Sequence, residues 1–317
     1  MRSAASRLAA HVAARVASAA RTSREVGGAT LSAAWDDRIL GLSAEAGFWS
    51  LLSMTPLMLV LLSAIGYLAP LFGPQIIPLV RAKILHAAGK FLVPDAVHSV
   101  LTPILNEVTQ QDHVGLLSVG TLIALWTGST AMSTYVNTIT IAYDMRGIRS
   151  AVRSRILAFL MYLGSLVVGT ITLPLLIIVP GWALTVVPMH IQPAIRPFVT
   201  YGYWPAVIVV CTVAITVLYH FAVPISRAWR LHLPGAIAAM ALWLASSYLL
   251  RTYLTYAIAH SPTYGAMAAP VASLLFLYVT GLALLLGAEL NAQIRHRHKA
   301  RKLQAHGEQA NPTIPNG

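Results

Sequence analysis

Glu289 and Asn291 stand in LLLGAELNAQI, residues 284–294, where an apolar run gives way to the basic cluster RHRHKARK. A carboxylate in apolar surroundings can hold a cation, exchange a proton or pair with an arginine. Glu45, in LSAEAGFW, occupies the matching place at the start of another apolar run. A second set of chemistry-bearing residues lies in TLIALWTGSTAMSTYVNTIT. There Thr127, Thr130, Thr134 and Asn137 or Thr138 recur at three-to-four spacing and so share one helix face. Such a hydroxyl stripe can line a path for a polar head group. It can equally bond to neighbouring helices or to its own backbone carbonyls. Both readings stand at this point.

The elements that must position these residues follow from composition. The chain has 317 residues, 57% hydrophobic and 10% charged, whereas a soluble domain carries about 25% charged residues. Asp, Glu, Lys and Arg are absent from 46–80, 114–143, 156–195, 197–226 and 252–288. A membrane-crossing helix needs roughly 20 mostly apolar residues, so an all-α, polytopic membrane protein is expected. Six helices are placed at Gly47–Ala69, Gly115–Asn137, Ile156–Val179, Val199–Ala222, Pro234–Tyr253 and Ala266–Ala288. Merging the last two is excluded by length, since ~37 residues at 1.5 Å each would overshoot the bilayer.

Of the 22 Lys and Arg residues, 17 fall on one side of that arrangement. The positive-inside rule then puts both termini in the cytoplasm. The chain divides into a basic tail (1–35), a six-helix transmembrane domain (36–295) and a basic, then disordered tail (296–317), the polar end beginning after Ala305. Residues 2–24 read as an amphipathic helix on the anionic inner leaflet, an Arg-rich transit peptide or a disordered tail. Residues 97–108 recur at helical spacing and are expected to rest as a helix on the outer face. No cleavable signal is visible, so the first apolar run would direct insertion.

Glu45 and Glu289 thus fall at the cytoplasmic ends of the first and sixth helices. An acid at a helix C-terminus opposes the macrodipole, so Glu289 needs a cationic partner, with Arg38, Arg153 and Arg155 at its depth. It is either a structural ion pair or a gate at the inner mouth, since ionisable groups at membrane depth are functional candidates. Pro56 interrupts the first helix as a hinge or a fixed kink; Pro174 raises the same choice in the third. Small residues at Gly164, Ser165 and Gly169, and at Gly265 and Ala269, signal close helix packing. Cys211 is the only cysteine, so neither a disulfide nor a thiolate metal cluster is expected. With no phosphate loop, HExxH, CxxC or GxSxG pattern, and no acid cluster to hold metal ions, the residues point away from an enzyme. They call for no cofactor, no metal and no nucleic-acid partner.

Four segments resemble, in order, the signature blocks of the YihY/BrkB family of bacterial inner-membrane proteins. They are LSAEAGFWSLLSMTPLMLVLLSAIGYL, LWTGSTAMSTYVNTITIAYDMRGIRSAVRSRILAF, LPGAIAAMALWLASSYLL and TYGAMAAPVASLLFLYVTGLALLLGAELNAQI. The likeness covers about 36–295 and looks closest to the actinobacterial branch. It implies a six-helix bundle in the inner membrane. Family members have been labelled virulence factors and, by an old misassignment, ribonuclease BN; lipid or envelope-component transport has been suggested for relatives. Pro56, Tyr143, Tyr264, Gly265, Gly287, Glu289 and Asn291 occupy signature positions without an attached catalytic role. Two functions are carried forward: a transporter or flippase-like protein for a lipid or other amphiphile, and a membrane scaffold whose basic tails recruit partners or anionic lipid.

Overall fold

A computed structural model describes residues 24–54, 114–186, 192–225, 228–260 and 265–310, with isolated positions 78, 82 and 85. Among the described residues all regular structure is helical. Helix α1 (24–36) is followed at once by α2 (Ile39–Met54). The break comes at Arg38, which takes φ 55. The Arg38 N–H bonds back to the Trp35 carbonyl at 3.0 Å, closing α1 in a left-handed cap of the kind glycine normally supplies. Ile39, fully buried just beyond it, offsets a conformation that costs about 1–2 kcal/mol for a residue with a Cβ.

Helix α3 (Val114–Ala142) closes by related geometry. Asp144 takes φ 53, its N–H bonds to Ile141 O at 2.8 Å, and Met145 N–H reaches Thr140 O at 3.0 Å. That is a Schellman closure with the buried Met145 as its hydrophobic seal. Helices α4 (Ala151–Val186) and α5 (Gln192–Ala222) follow. A 3-10 turn (Trp229–His232) leads into α6 (Leu233–His260), and α7 runs from Gly265 to Ala310.

These helices contain the expected apolar runs but extend beyond them, because a helix need not stop where its lipid-facing surface stops. The largest correction concerns α7. The expected end at Ala288 gives way to one helix of 46 residues that runs to Ala310, roughly 70 Å at 1.5 Å per residue, against a hydrocarbon core of ~30 Å; residues 311–317 of the expected disordered tail lie outside the described residues. Residues 288–306 contain neither Gly nor Pro and are rich in Ala, Leu, Gln, Lys and Arg, all good helix formers.

Four described stretches are long and apolar enough to cross a membrane: Ala151–Gly169, Gly202–Ala222, Trp229–Tyr253 and Val271–Ala300. The expected second crossing is helical throughout, as α3, while the first is described only to residue 54. Pro56, the helix placed over 97–108 and the surface helix of the N-terminal tail lie outside the described residues. Large apolar side chains such as Trp126, Val168, Trp204 and Leu249 face outward, the arrangement a lipid solvent favours.

The buried core sits at one end of the bundle. Ile39 of α2, Val136 and Ile139 of α3, Ala158 of α4, Tyr219 and Ala222 of α5, Ala236 of α6 and Leu285 of α7 meet there, beside the arginine-bearing loops. Close backbone approach is concentrated in this region. A Cβ on Gly47 would lie 3.0 Å from Tyr278 N, and one on Gly281 would lie 3.2 Å from Ser43 O. Two of the small residues expected to make such contacts in α4 do not do so: no described atom comes within 4 Å of a Cβ placed on Gly164 or Gly169. The side chains of 265–270 lie outside the described residues.

Candidate functional site

Helix α7 brings Gly287 and Asn291 to one face, four residues apart, and that face meets the start of α6. Gly287 lies so close to Gly235 that a Cβ on it would stand 2.5 Å from Gly235 O and 2.6 Å from the Tyr219 hydroxyl. Tyr219, fully buried on α5, donates its hydroxyl to Leu284 O at 2.6 Å. Asn291 then clips the two helices together. Its Oδ1 accepts the Gly235 N–H at 2.7 Å, and its Nδ2 donates to His232 O at 2.9 Å. The first N–H groups of a helix have no intrahelical partner, so Asn291 caps α6 from another helix. His232 is itself buried, with Nδ1 3.1 Å from the Tyr143 hydroxyl.

Glu289, between those two residues in sequence, faces the other way. Its neighbours are the ends of α1 and α3, and it is 1% exposed. Oε1 accepts from Gln293 Nε2 at 3.0 Å, while Oε2 has no hydrogen-bond partner among the described residues. The expected arginine is not there: Glu289 pairs with none of Arg38, Arg153 or Arg155. Nor does it oppose a helix end, because α7 continues to Ala310. The macrodipole argument therefore falls, and the carboxylate is an interior group of a long helix.

Glu289 lines an open cleft of about 380 Å³ at the basic end of the bundle, shared with Asp37, Asp144, Arg146, Gln293 and His296. Asp37 and Asp144 are delivered by the two left-handed caps described above. Arg146 Nη2 bonds Asp37 Oδ1 at 3.2 Å. Burial pushes the Asp37 carboxyl above its ordinary value, with Arg146 opposing the change. Tyr143, just outside α3, has its phenol pushed well up by burial, so it stays a hydrogen-bonding hydroxyl at neutral pH.

The hydroxyl stripe of α3 proves to be two things. Thr127 and Thr138 are buried and donate at 2.8 Å to the carbonyls of Ile123 and Thr134 on their own helix. Asn137 is exposed and reaches Ser133 at 3.4 Å. Thr130 and Thr134 make longer-range contacts. Arg155 of α4 donates to Thr130 Oγ1 at 3.0 Å and to Ser129 Oγ at 3.2 Å, with its guanidinium 5.5 Å from the centre of the Trp126 ring. Thr134 donates to Glu45 Oε1 of α2 at 3.3 Å and shares its hydrogen with Thr130 O at the same distance. Arg155 and Glu45 thus bracket one turn of α3. Arg153 is exposed, and its backbone N–H meets Ser150 Oγ at 3.4 Å.

Sequence reasoning missed Asp37 and Arg146, which no motif or spacing singles out. It also missed Gly235 and His232, whose partners lie more than 50 residues away. A signal for Gly235 was present, since LPGA starts an apolar run where a helix N-terminus needs a cap.

Among the described residues, a helical bundle with an apolar exterior and four stretches long enough to cross a bilayer has the architecture of a multi-pass membrane protein. Residues 30–312 match the family described as Virulence factor BrkB, and the chain belongs to that family. It is also similar to the ribonuclease-like protein YfkH of Bacillus subtilis (strain 168), at 27% identity over 260 residues covering 81% of this chain and 90% of that one. No solved structure matches the chain. Among the described residues, no group of three His, Cys, Asp or Glu side chains is placed to hold a metal ion.

Proposed function

We propose that this chain moves a lipid or another envelope amphiphile across the bacterial inner membrane, as a transporter or flippase-like protein. It would cross six times with both termini in the cytoplasm. What carries this reading is the polar turn of α3, where Arg155 on Ser129 and Thr130 stands beside Glu45 on Thr134. A cation and a carboxylate one helical turn apart offer both charges of a zwitterionic head group a temporary partner on an otherwise apolar helix. Polar and ionisable groups at membrane depth are costly to keep, and packing alone does not require two opposite charges there.

The test is lipid movement in proteoliposomes of the purified protein, compared with a Thr130→Val, Thr134→Val variant and with Arg155→Gln. Faster movement of labelled lipid with wild type, lost in both folded variants, is the expected result. Movement no faster than in empty liposomes would move a second reading ahead. That reading is a scaffold recruiting cytoplasmic partners or anionic lipid, favoured by the helical continuation of α7 through its basic cluster. It predicts that truncating 296–317 abolishes function while the α3 substitutions are tolerated.

A further inference from the structure

We propose that the cleft between the α1–α2 break, the end of α3 and the middle of α7 is a binding site for an organic ammonium group, held by Glu289. The site goes beyond the transport reading and does not depend on it, because binding is measured without any movement of substrate.

Glu289 is 1% exposed, and Oε2 has no donor among the described residues. A buried carboxylate oxygen left without a hydrogen bond is costly, so a donor from outside the chain is the natural occupant. The surroundings select its charge. Asp37 is engaged by Arg146 at 3.2 Å, whereas Glu289 and Asp144 make no ion pair among the described residues. The cleft therefore keeps an excess of carboxylate even with Arg146 at its rim.

Geometry selects the shape of the donor. A guanidinium is recognised by two parallel bonds to both oxygens of a carboxylate, and here Gln293 already occupies Oε1. An ammonium is a compact point charge with three independent donors; it needs one oxygen from Glu289 and can turn the others toward Asp144 and the Gln293 carbonyl. A bare metal ion would want several rigidly placed ligands, and no such group of three is found among the described residues. The space, about 380 Å³, falls in the range of small-molecule pockets. Arg146, its side chain 64% exposed, stands where a phosphate beside the amine would sit. The ammonium can thus come from a soluble amine or from an aminophospholipid head group.

The experiment uses the full chain in nanodiscs of phosphatidylcholine, whose quaternary nitrogen has no N–H to donate. In one arm ethanolamine and putrescine are titrated by calorimetry; in the other, thermal unfolding is compared with and without phosphatidylethanolamine in the disc. Saturable binding of either amine, or a rise in Tm with the aminolipid, is expected. The response should weaken at least tenfold in Glu289→Gln, an isosteric change that removes the carboxyl group, and less in Asp144→Asn, which tolerates the left-handed turn. A response in one arm alone identifies the source of the amine. Wild type responding in neither arm, or Glu289→Gln responding like wild type, overturns the proposal. If Glu289→Gln does not fold, Asp144→Asn decides: an unchanged response overturns the proposal, and a weakened one supports it.

Discussion

Replacing Gly287 with alanine puts one methyl group where α6 and α7 cross, and the structure sets the size of the effect. The new Cβ would stand 2.5 Å from Gly235 O, 2.6 Å from the Tyr219 hydroxyl and 2.7 Å from Ala239 Cβ. Backbone and a packed Cβ cannot swing aside, so the helices must separate; overpacking of this kind costs about 1–3 kcal/mol. Separation also lengthens the Tyr219 bond to Leu284 O, now 2.6 Å, and interhelical bonds in membranes contribute about 0.6 and up to ~1.7 kcal/mol. The better helix propensity of alanine returns roughly 0.8–1 kcal/mol. The net expectation is a loss of about 1–4 kcal/mol, centred near 2, from opposing terms of that order. Gly28→Ala on α1 is the control, because no atom lies within 4 Å of a Cβ placed there; it should stabilise by up to about 1 kcal/mol. Equilibrium unfolding in mixed micelles, followed by tryptophan fluorescence, reads both. If Gly287→Ala falls within about 0.5 kcal/mol of wild type, the helix-crossing argument is wrong.

Asn291→Leu should destabilise by about 2–4 kcal/mol in the same assay, because the Gly235 N–H and the His232 carbonyl both lose their partner in a buried place. Tyr219→Phe removes only the bond to Leu284 O and should cost about 0.6–1.7 kcal/mol; a larger loss would mean that the ring itself had shifted. Asp37 gives a pH prediction. Its folded-state pKa lies above the ordinary 3.8 because burial outweighs the attraction of Arg146. Its contribution to stability is therefore present below the unfolded value and is lost as pH rises through the folded one. Asp37→Asn should accordingly gain on wild type as pH rises above the ordinary 3.8, and a constant difference across an unfolding series taken upward from there would contradict the sign.

The apolar runs were legible because a lipid-facing helix leaves a long, charge-free signature; α3 to α7 each contain an expected run, and four described stretches are long and apolar enough to cross a membrane. Helix ends were not. At Ala288 the apolar surface stops, yet the backbone has no reason to stop with it, so α7 runs on through a basic cluster of good helix formers. The caps at Arg38 and Asp144 were invisible for a different reason. Left-handed closure is usually announced by glycine, and here it is imposed by burying Ile39 and Met145 just beyond the turn. The cleft depends on those two turns for Asp37 and Asp144, so it could not be assembled from spacing. The α3 stripe was legible as a face but not as a set of partners. Thr127 and Thr130 have the same residue type and neighbouring turns, yet only Thr130 meets Arg155. That difference is made by α4, not by α3.

The GAELNA segment shows why an acid-poor chain keeps a carboxylate there. Along α7, residues four apart share a face, whereas residues two apart point roughly 200° apart. Gly287 and Asn291 use the shared face to fix α6, one by having no side chain and the other by capping its first turn. Glu289 is consequently turned toward α1 and α3, on the side where no described helix pairs it with a counter-charge. Had its role been to hold the bundle together, an arginine at hydrogen-bond distance would be the economical solution, and the chain makes that kind of pair between Asp37 and Arg146 in the same cleft. Glu289 is instead held rigid by its two neighbours, buried to 1% exposure, with one oxygen satisfied locally and one left open. A rigid helix that fixes an incompletely satisfied carboxylate against a cleft is how a binding group is preorganised. The same arrangement would be a poor way to stabilise a fold, because its open oxygen costs free energy until something donates to it.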